Sequence, residues 1–303
     1  MKHNSIIIGS SGFVGKNLIQ FFKKRGVDFK SISRDGLVSL QPTDFDSDST
    51  IVHLAGKAHD LKNTSNPQSY YEANYELTKK LYDLFLDSNA AKFIFISSVK
   101  ASADSVNGIL TEDDKPIPLT DYGKSKLMAE QYIQNQILPP GKSYYILRPC
   151  MIHGPGNKGN LNLLYKVVKK GIPYPLASFH NLRSFLSIAN FNFVIYKIII
   201  DSIPSGVYNI ADDEALATNQ VIKIISNINE KRPKLWHVNK LIIKILAIIG
   251  DKMHLPLNSE SLKKLTENYV VSNEKIKRVL NIKQLPVSAE EGLSATVKSF
   301  HSS

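Results

Sequence analysis

Tyr122 and Lys126 lie four residues apart in the stretch YGKSK, within a run of helical spacing from residue 122 to residue 136. Residues four apart share one face of a helix. A nearby ammonium group favours the phenolate and lowers a tyrosine pKa, which suits Tyr122 to exchange a proton with an oxygen atom near neutral pH. Ser98 follows the apolar run KFIFI, where its hydroxyl is able to hydrogen-bond the reacting oxygen. Alone, each feature is also typical of a helix start or a loop.

A glycine-rich turn precedes this region in the chain. Gly9, Gly12 and Gly15 belong to GSSGFVG, which follows the apolar run at residues 5–8 and opens a segment of helical spacing at residues 13–25. Glycines allow a backbone to approach a pyrophosphate, and a helix N-terminus favours its negative charge. The motif therefore predicts a dinucleotide site, with an ordinary glycine turn as the alternative.

Strand and helix patterns alternate through the first two thirds of the chain. The pattern predicts these strands and helices in turn: strands at 5–8, 29–33, 51–54, 92–96 and 143–147, and helices at 13–25, 70–87 and 122–136. Such alternation is typical of a doubly wound parallel sheet with helices on both faces. Its ligand binds beyond the carboxyl ends of the strands, where Ser98 lies.

The pattern loosens after Arg148. Short elements follow, namely a strand at 185–188, a helix at 193–203 and a strand at 207–210, and then a mainly helical tail from Asp212. We expect residues 1–150, completed by segments within 184–210, to form the dinucleotide-binding domain. Residues 151–183 and 211–303 are expected to form a smaller lobe that binds the substrate.

Composition narrows the class of protein. The 303 residues carry a net charge of +11, but the basic residues are scattered, which argues against nucleic-acid binding. They predict a solvated surface or a field that attracts polyanionic small molecules. The single cysteine, Cys150, excludes an internal disulfide framework and is interpreted as a packing residue in a cytoplasmic protein. No signal peptide is recognised.

One apolar segment needs a separate interpretation. Residues 235–253 contain Trp236, many isoleucines and several lysines, but no run of about 20 apolar residues that would form a transmembrane segment. An amphipathic segment of this kind is able to lie at a membrane interface. We interpret it instead as a helix packed on the smaller lobe, since apolar helices of globular proteins are usually core.

Taken together, the motifs resemble the extended short-chain dehydrogenase/reductase family, in particular its nucleotide-sugar 4-epimerase and 4-keto reductase branch. The resemblance extends over nearly the whole chain, through FISSVK, YGKSK, RPCMIHGPG and RSFLSI. It implies a Rossmann fold with a smaller, mainly helical lobe that binds a nucleotide-diphosphate sugar. It also implies a homodimer formed through the helices that contain Asn74 and Tyr122.

The same resemblance assigns roles to individual residues. It implies that Ser98, Tyr122 and Lys126 are catalytic, and that Asn74 supports the site from a neighbouring helix. Ser98, Asn160 and Arg183 are expected to bind substrate, with Arg183 clamping the diphosphate. No metal is expected. The expected cofactor-binding residues are Gly9, Ser11, Gly12, Phe13, Val14, Gly15, Ser33, Arg34, Leu54, Ala55, Gly56, Asn74, Tyr122 and Lys126. His153 replaces a tyrosine that is common in the family, and we expect it to contribute little to the site.

Two departures from the family narrow the reaction. Val99 and Lys100 stand where the 4,6-dehydratases have Asp-Glu, so dehydration is not expected. The second strand ends in Ser33 and Arg34, whereas an acid at that place would bind the ribose of NAD and repel a 2′-phosphate. Arg34 therefore favours NADP(H). The alternative is NAD, with Asp35 binding the ribose one residue later.

Cofactor and reaction are linked, because reductases consume NADPH and epimerases recycle NAD. Arg34 therefore favours NADPH-dependent reduction of a nucleotide-linked 4-keto-6-deoxy or deoxyamino sugar for surface polysaccharide. The alternative is an NAD-dependent 4-epimerase of a UDP-hexose or of a lipid-linked hexosamine. A non-catalytic dinucleotide-sensing subunit is a remote alternative, since such proteins generally lose the Tyr122/Lys126 pair.

Overall fold

A six-stranded parallel sheet forms the centre of the computed structural model, which describes residues 4–58, 66–157, 159–253 and 258–301. From one edge to the other its strands are β2 (Phe29–Ile32), β1 (Ser5–Ile8), β3 (Thr50–His53), β4 (Lys92–Ile96), β6 (Ser143–Pro149) and β10 (Gly206–Ile210). Every pairing between neighbours is parallel. The predicted doubly wound sheet is confirmed, and its order reverses between β1 and β3, where such folds open a ligand crevice.

Helices cover both faces of the sheet. One face packs against α1 (Phe13–Arg25) and α6 (Ile188–Ile200), and the other against α3 (Leu77–Asp87) and α4 (Asp121–Asn135). Strand β1 shows the reason, because Ile7 joins the first apolar layer while Ile6 and Ile8 join the second. Side chains of a strand alternate between faces, so a strand buried on both sides is continuously apolar.

Two helices differ from the sequence prediction. Helix α6 begins five residues earlier than the predicted 193, because the Ser187 side chain accepts a hydrogen bond from the Asn190 backbone N at 3.2 Å and caps the helix. The predicted helix at 70–87 is continuous but irregular. It runs from α2 (Gln68–Tyr70) through a π-helical segment (Tyr71–Glu76) into α3.

The smaller lobe is mainly helical, as predicted. Its described helices are α5 (Asn160–Lys169), α7 (Thr218–Ile228), α8 (Lys240–Met253), α9 (Ser259–Thr266), α10 (Glu274–Val279) and α11 (Ala289–Ser299). Three pairs of short strands join separate parts of the chain: β5 (Ile109–Leu110) with β12 (Val270–Val271), β7 (Met151–His153) with β9 (Phe185–Ser187), and β8 (Leu182–Arg183) with β11 (Leu216–Ala217). Short 3₁₀ helices occur at Asp35–Leu37, Pro42–Asp44 and Val99–Ala101. We retain the lobe boundaries as a proposal.

Two further expectations concern Cys150 and the apolar segment near residue 240. Cys150 is buried in the apolar layer that contains α6, and burial raises its pKa, as expected for a packing residue. Within the described ranges, every helix is too short or too polar to cross a bilayer.

Candidate active site

The glycine-rich turn joins β1 to α1 at the carboxyl edge of the sheet. Gly9 has φ +91°, and a Cβ there would lie 2.5 Å from the Ala55 backbone N. A Cβ on Gly15 would lie 2.5 Å from the Gly9 carbonyl oxygen. Gly12 and Ser11 are exposed at the tip of the turn, beside the start of α1. Backbone packs against backbone here, so the turn presents a flat surface and a helix N-terminus, which fit a pyrophosphate.

Gly12 and Gly15 make a matched pair for testing this turn. We expect Gly15→Ala to destabilise the fold by about 1–3 kcal/mol, because its Cβ has only backbone atoms to displace. Gly12→Ala should cost less than about 1 kcal/mol, since the nearest atom to its Cβ is 3.6 Å away. It should nevertheless weaken dinucleotide binding, because the Cβ occupies the surface offered to the pyrophosphate. Urea unfolding and dinucleotide titration measure the two effects; equal binding by Gly12→Ala and wild type would contradict the assignment.

The end of β2 carries a positive charge in place of an acid. Arg34 is exposed, directly before the 3₁₀ helix that begins at Asp35. The Ser33 side chain accepts a hydrogen bond from the Gly36 backbone N at 3.2 Å and fixes this turn. Lys80 reaches the same loop from α3 and donates to the Leu37 carbonyl at 2.9 Å. Two cations therefore lie around the loop where the ribose of a dinucleotide is expected.

Asn74 anchors the loop after β3 from the π-helical segment. Its Oδ1 accepts from the Lys57 backbone N at 2.9 Å, and its Nδ2 donates to the Lys57 carbonyl at 3.1 Å and to Ser125 Oγ at 3.1 Å. A Cβ on Gly56 would lie 2.6 Å from Asn74 Oδ1 and 3.2 Å from Lys126 Nζ, so glycine is required there. π-Helical turns are frequent at functional sites, and this one directs Asn74 toward α4.

Ser98, Tyr122 and Lys126 lie close together in the structure. Ser98 follows β4 and caps the 3₁₀ helix by accepting from the Lys100 backbone N at 3.2 Å. Tyr122 lies in the first turn of α4 and has a side-chain hydrogen bond with Ser98. Lys126 lies one turn later and is buried, with Nζ donating to the Ile96 carbonyl at 2.8 Å. A hydroxyl, a phenol and an ammonium group thus meet at the carboxyl end of β4.

The electrostatics differ from the sequence prediction. The pKa of Tyr122 is raised by burial, and the hydrogen bond from Ser98, which lowers it, does not overcome that effect. The ammonium group of Lys126 was expected to lower the pKa of Tyr122. Its Nζ instead donates a hydrogen bond to the backbone carbonyl of Ile96 at the end of β4. Burial lowers the pKa of Lys126 to about 8, partly opposed by Glu130, so the group is charged at neutral pH and loses its charge above pH 8. Tyr122 is therefore protonated at neutral pH and poised to donate.

A buried ion pair behind the site was not predicted. Glu130 lies one turn after Lys126 on α4, and Arg148 Nε lies 3.0 and 3.1 Å from its two carboxylate oxygens. Arg148 NH2 lies 2.5 Å from Glu130 Oε2, and Ser97 Oγ also donates to this carboxylate. The sequence carried no local signal for it, because the two residues lie 18 positions apart on different elements. The pair fixes α4 against β6 and the end of β4.

Arg183 belongs to β8 and is connected through Tyr269 to the turn that follows Ser98. The Tyr269 backbone forms a bridge with Arg183, and its hydroxyl donates to the Ala103 carbonyl at 2.7 Å, just past the 3₁₀ helix that follows Ser98. Burial lowers the pKa of Arg183, and Glu267 opposes that effect. Its guanidinium donates to the Lys264 carbonyl. Arg183 is half-buried.

Asn160 and His153, which follow Arg148 in the chain, differ in their exposure to solvent. Asn160 is exposed and opens α5, whose N-terminus favours an anion. His153 is fully buried, with Nδ1 2.8 Å from Thr296 Oγ1 and Nε2 3.8 Å from Asp212 Oδ2. His153 therefore contacts α11 of the smaller lobe.

Comparison with known proteins decides the family. The model of the "NAD dependent epimerase/dehydratase family" matches residues 5–211, which include the glycine turn and the Ser98, Tyr122 and Lys126 cluster. The chain belongs to this family. It is therefore an NAD(P)-dependent enzyme of the extended short-chain dehydrogenase/reductase type, in the nucleotide-sugar epimerase and reductase group.

Individual relatives are similar over most of their length. UDP-glucose 4-epimerase of Vibrio cholerae is 28% identical over 322 residues, covering 99% of this chain and 96% of the relative. GDP-6-deoxy-D-talose 4-dehydrogenase of Aggregatibacter actinomycetemcomitans is 25% identical over 266 residues, covering 82% and 89%. RMD from Pseudomonas aeruginosa, solved with NADPH, has the same fold, with a TM-score of 0.74 at 17% identity over 99% of this chain and 100% of that one.

Proposed function

We propose that this protein is an NADPH-dependent reductase of the C4 carbonyl of a nucleotide-diphosphate 4-keto-6-deoxy or deoxyamino sugar, supplying surface polysaccharide synthesis. The observation that carries the proposal is Arg34, exposed at the carboxyl end of β2 with Lys80 beside the same loop. A guanidinium there attracts a 2′-phosphate, whereas NAD-binding folds of this type usually have an acid. GDP-6-deoxy-D-talose 4-dehydrogenase, one of the relatives, is named for a reaction at C4 of a 6-deoxy sugar. Its similarity therefore supports C4 as the site of reaction and a 6-deoxy sugar as the substrate class.

The catalytic cluster suits a reduction. When bound, the nicotinamide supplies a hydride. Tyr122, kept protonated by burial, donates the proton that the C4 oxygen needs, and Ser98 hydrogen-bonds that oxygen. Lys126 holds the end of β4 through the Ile96 carbonyl and carries a positive charge at neutral pH. Arg183 and Asn160 contact the nucleotide diphosphate, and the enzyme forms a homodimer through the helices of Asn74 and Tyr122.

A 4-epimerase of a UDP-hexose is the second candidate. It is favoured by the nearly full-length similarity to the Vibrio cholerae UDP-glucose 4-epimerase. The same three side chains would serve it, with Tyr122 accepting a proton in one half-reaction and returning it in the other. Such an enzyme retains NAD, so the identity of the cofactor separates the two candidates.

The cofactor test uses Arg34, which follows β2, and a lysine within β2 as its matched control. We expect wild type to prefer NADPH to NADH, and Arg34→Ala to weaken NADPH binding about 10- to 100-fold, as for loss of a charge-assisted hydrogen bond. NADH binding should change little. Lys30→Ala removes an exposed cation within β2, four residues before Arg34, and should leave both affinities unchanged. Fluorescence titration of each of the three proteins, freed of dinucleotide, with NADPH and with NADH gives the six dissociation constants.

One result would overturn the proposal that the protein is a reductase. Denaturing the purified protein and identifying the released dinucleotide shows what it carries. Released NAD, together with weak NADPH binding that Arg34→Ala does not alter, would make the 4-epimerase the function of this chain.

A further inference from the structure

Helix α8 presents an apolar surface to solvent. Seven large apolar side chains on this one helix are each between 43% and 65% exposed: Leu241, Ile242, Ile245, Leu246, Ile248, Ile249 and Met253. Trp236, just before the helix, is 58% exposed. Soluble monomeric proteins rarely expose contiguous apolar patches larger than a few hundred Å² unless the patch contacts something.

The exposed side chains form one face. At about 100° per residue, Ile243, Ala247 and Gly250 fall on a narrow stripe, and these three are the buried residues of α8. The stripe packs against Leu176 and Leu262. The seven exposed apolar side chains span an arc of about 160° that faces away from the protein. Packing on the smaller lobe, as interpreted from sequence, accounts for the stripe only.

Basic residues accompany this face. Among the described residues between 231 and 266 the exposed cations are Lys231, Arg232, Lys234, Lys240, Lys244, Lys252, Lys263 and Lys264. On the helix itself, Lys240 and Lys244 lie beside the apolar arc, and Lys252 lies within it near the C-terminal end. The acids of that span, Asp251 and Glu260, already have partners: Asp251 accepts from Ser259 backbone N at 2.9 Å, and Glu260 lies 2.5 Å from Lys264. Lysines beside an apolar face extend their charged ends toward a polar boundary.

We propose that α8, with Trp236, docks on the surface of a membrane that contains anionic lipids. An amphipathic helix with an apolar face and flanking lysines lies in the interface plane, with the apolar side chains below the headgroups. The surplus of cations complements anionic headgroups. A second copy of this chain fits the face less well, because a two-fold contact through α8 would bring together two surfaces that carry the same surplus of positive charge.

Docking through α8 would place the substrate lobe at the membrane. Helix α9 follows α8 and packs on it through Leu262. The Lys264 carbonyl of α9 accepts a hydrogen bond from Arg183. The inference does not depend on which reaction the enzyme catalyses, since it rests on α8 and its surroundings alone.

Trp236 provides a direct test without mutation, because it is the only tryptophan of the sequence. We expect its fluorescence emission to shift to shorter wavelength when the full chain meets vesicles of phosphatidylcholine containing phosphatidylglycerol. Vesicles of phosphatidylcholine alone should produce a smaller shift, and high salt should reduce the response to anionic vesicles. No shift with either vesicle would overturn the proposal.

Vesicle flotation with two pairs of substitutions locates the contact. Ile245→Asn with Ile249→Asn should lower partitioning into anionic vesicles at least about tenfold. Lys244→Gln with Lys252→Gln should lower it about fivefold for each lysine removed. Ile137→Asn with Ile117→Asn, two apolar residues 93% and 63% exposed elsewhere, should bind like wild type. Far-UV circular dichroism confirms that each variant is folded.

The variants also distinguish the other occupant of the face. Sedimentation equilibrium of wild type and of the Ile245/Ile249 variant reports self-association through α8. A dimer that this variant dissociates, without vesicle binding by wild type, would assign α8 to a second copy and overturn membrane docking. Equal flotation of the α8 and control variants would overturn it as well.

Discussion

Tyr122→Phe is expected to lower kcat by about two to four orders of magnitude, with little change in KM for the sugar. The substitution removes the hydroxyl that donates the proton and preserves the ring that packs edge-on against Tyr70, with ring centroids 6.1 Å apart. General acid catalysis by a positioned side chain contributes about 10²- to 10⁴-fold. The effect is measured as NADPH oxidation with a nucleotide-linked 4-keto-6-deoxy sugar, or as 4-epimerisation of a UDP-hexose if the cofactor proves to be NAD.

Tyr132→Phe is the matched control for that experiment. Tyr132 lies on the same helix, and its hydroxyl donates to Asp83, away from the cluster. Its removal should leave kcat within about twofold of wild type and cost about 1 kcal/mol of stability. Full enzymatic activity in Tyr122→Phe would contradict the role given to Tyr122, and full biological activity of a catalytically inactive Tyr122→Phe would favour a non-catalytic dinucleotide sensor.

The regular part of the fold follows from sequence periodicity. Helix α1 was predicted with its observed bounds, because the glycine turn before it and Gly26 after it, with φ +65°, mark both ends. The short paired strands such as β8 with β11 were not predicted, since two residues carry no period and the partner lies far along the chain. The π-helical turn at Asn74 was missed for a similar reason: its hydrogen-bond pattern is set by packing against α4.

The site shows the same division between local and tertiary information. The convergence of Ser98, Tyr122 and Lys126 was predictable, because parallel strands end at one edge of the sheet. The protonation of Tyr122 was predicted in the wrong direction, because the spacing of Tyr122 and Lys126 reports proximity and says nothing about burial. The outward face of α8 was also not predictable, since the same apolar residues in another setting would form a core.

Removing one partner of the buried Glu130–Arg148 pair should have the largest effect on stability. We expect Arg148→Met to lower the free energy of unfolding by about 3–5 kcal/mol, because the carboxylate of Glu130 would remain fully buried without its counter-ion. The geometry increases the loss, since three guanidinium contacts and the Ser97 hydroxyl converge on one carboxylate. Urea unfolding at neutral pH measures the change.

Two comparisons show whether burial is the cause. Arg148→Met combined with Glu130→Leu removes both charges of the pair and should recover most of the loss, because replacement of a whole buried pair by apolar groups is often neutral. Lys197→Met breaks the i, i+4 pair with Asp201, whose side chains are 24% and 32% exposed, and should cost less than about 1 kcal/mol. A double variant as unstable as Arg148→Met would show instead that Arg148 stabilises the protein through contacts other than its charge. The pair would then position α4, and with it Tyr122 and Lys126, by packing alone.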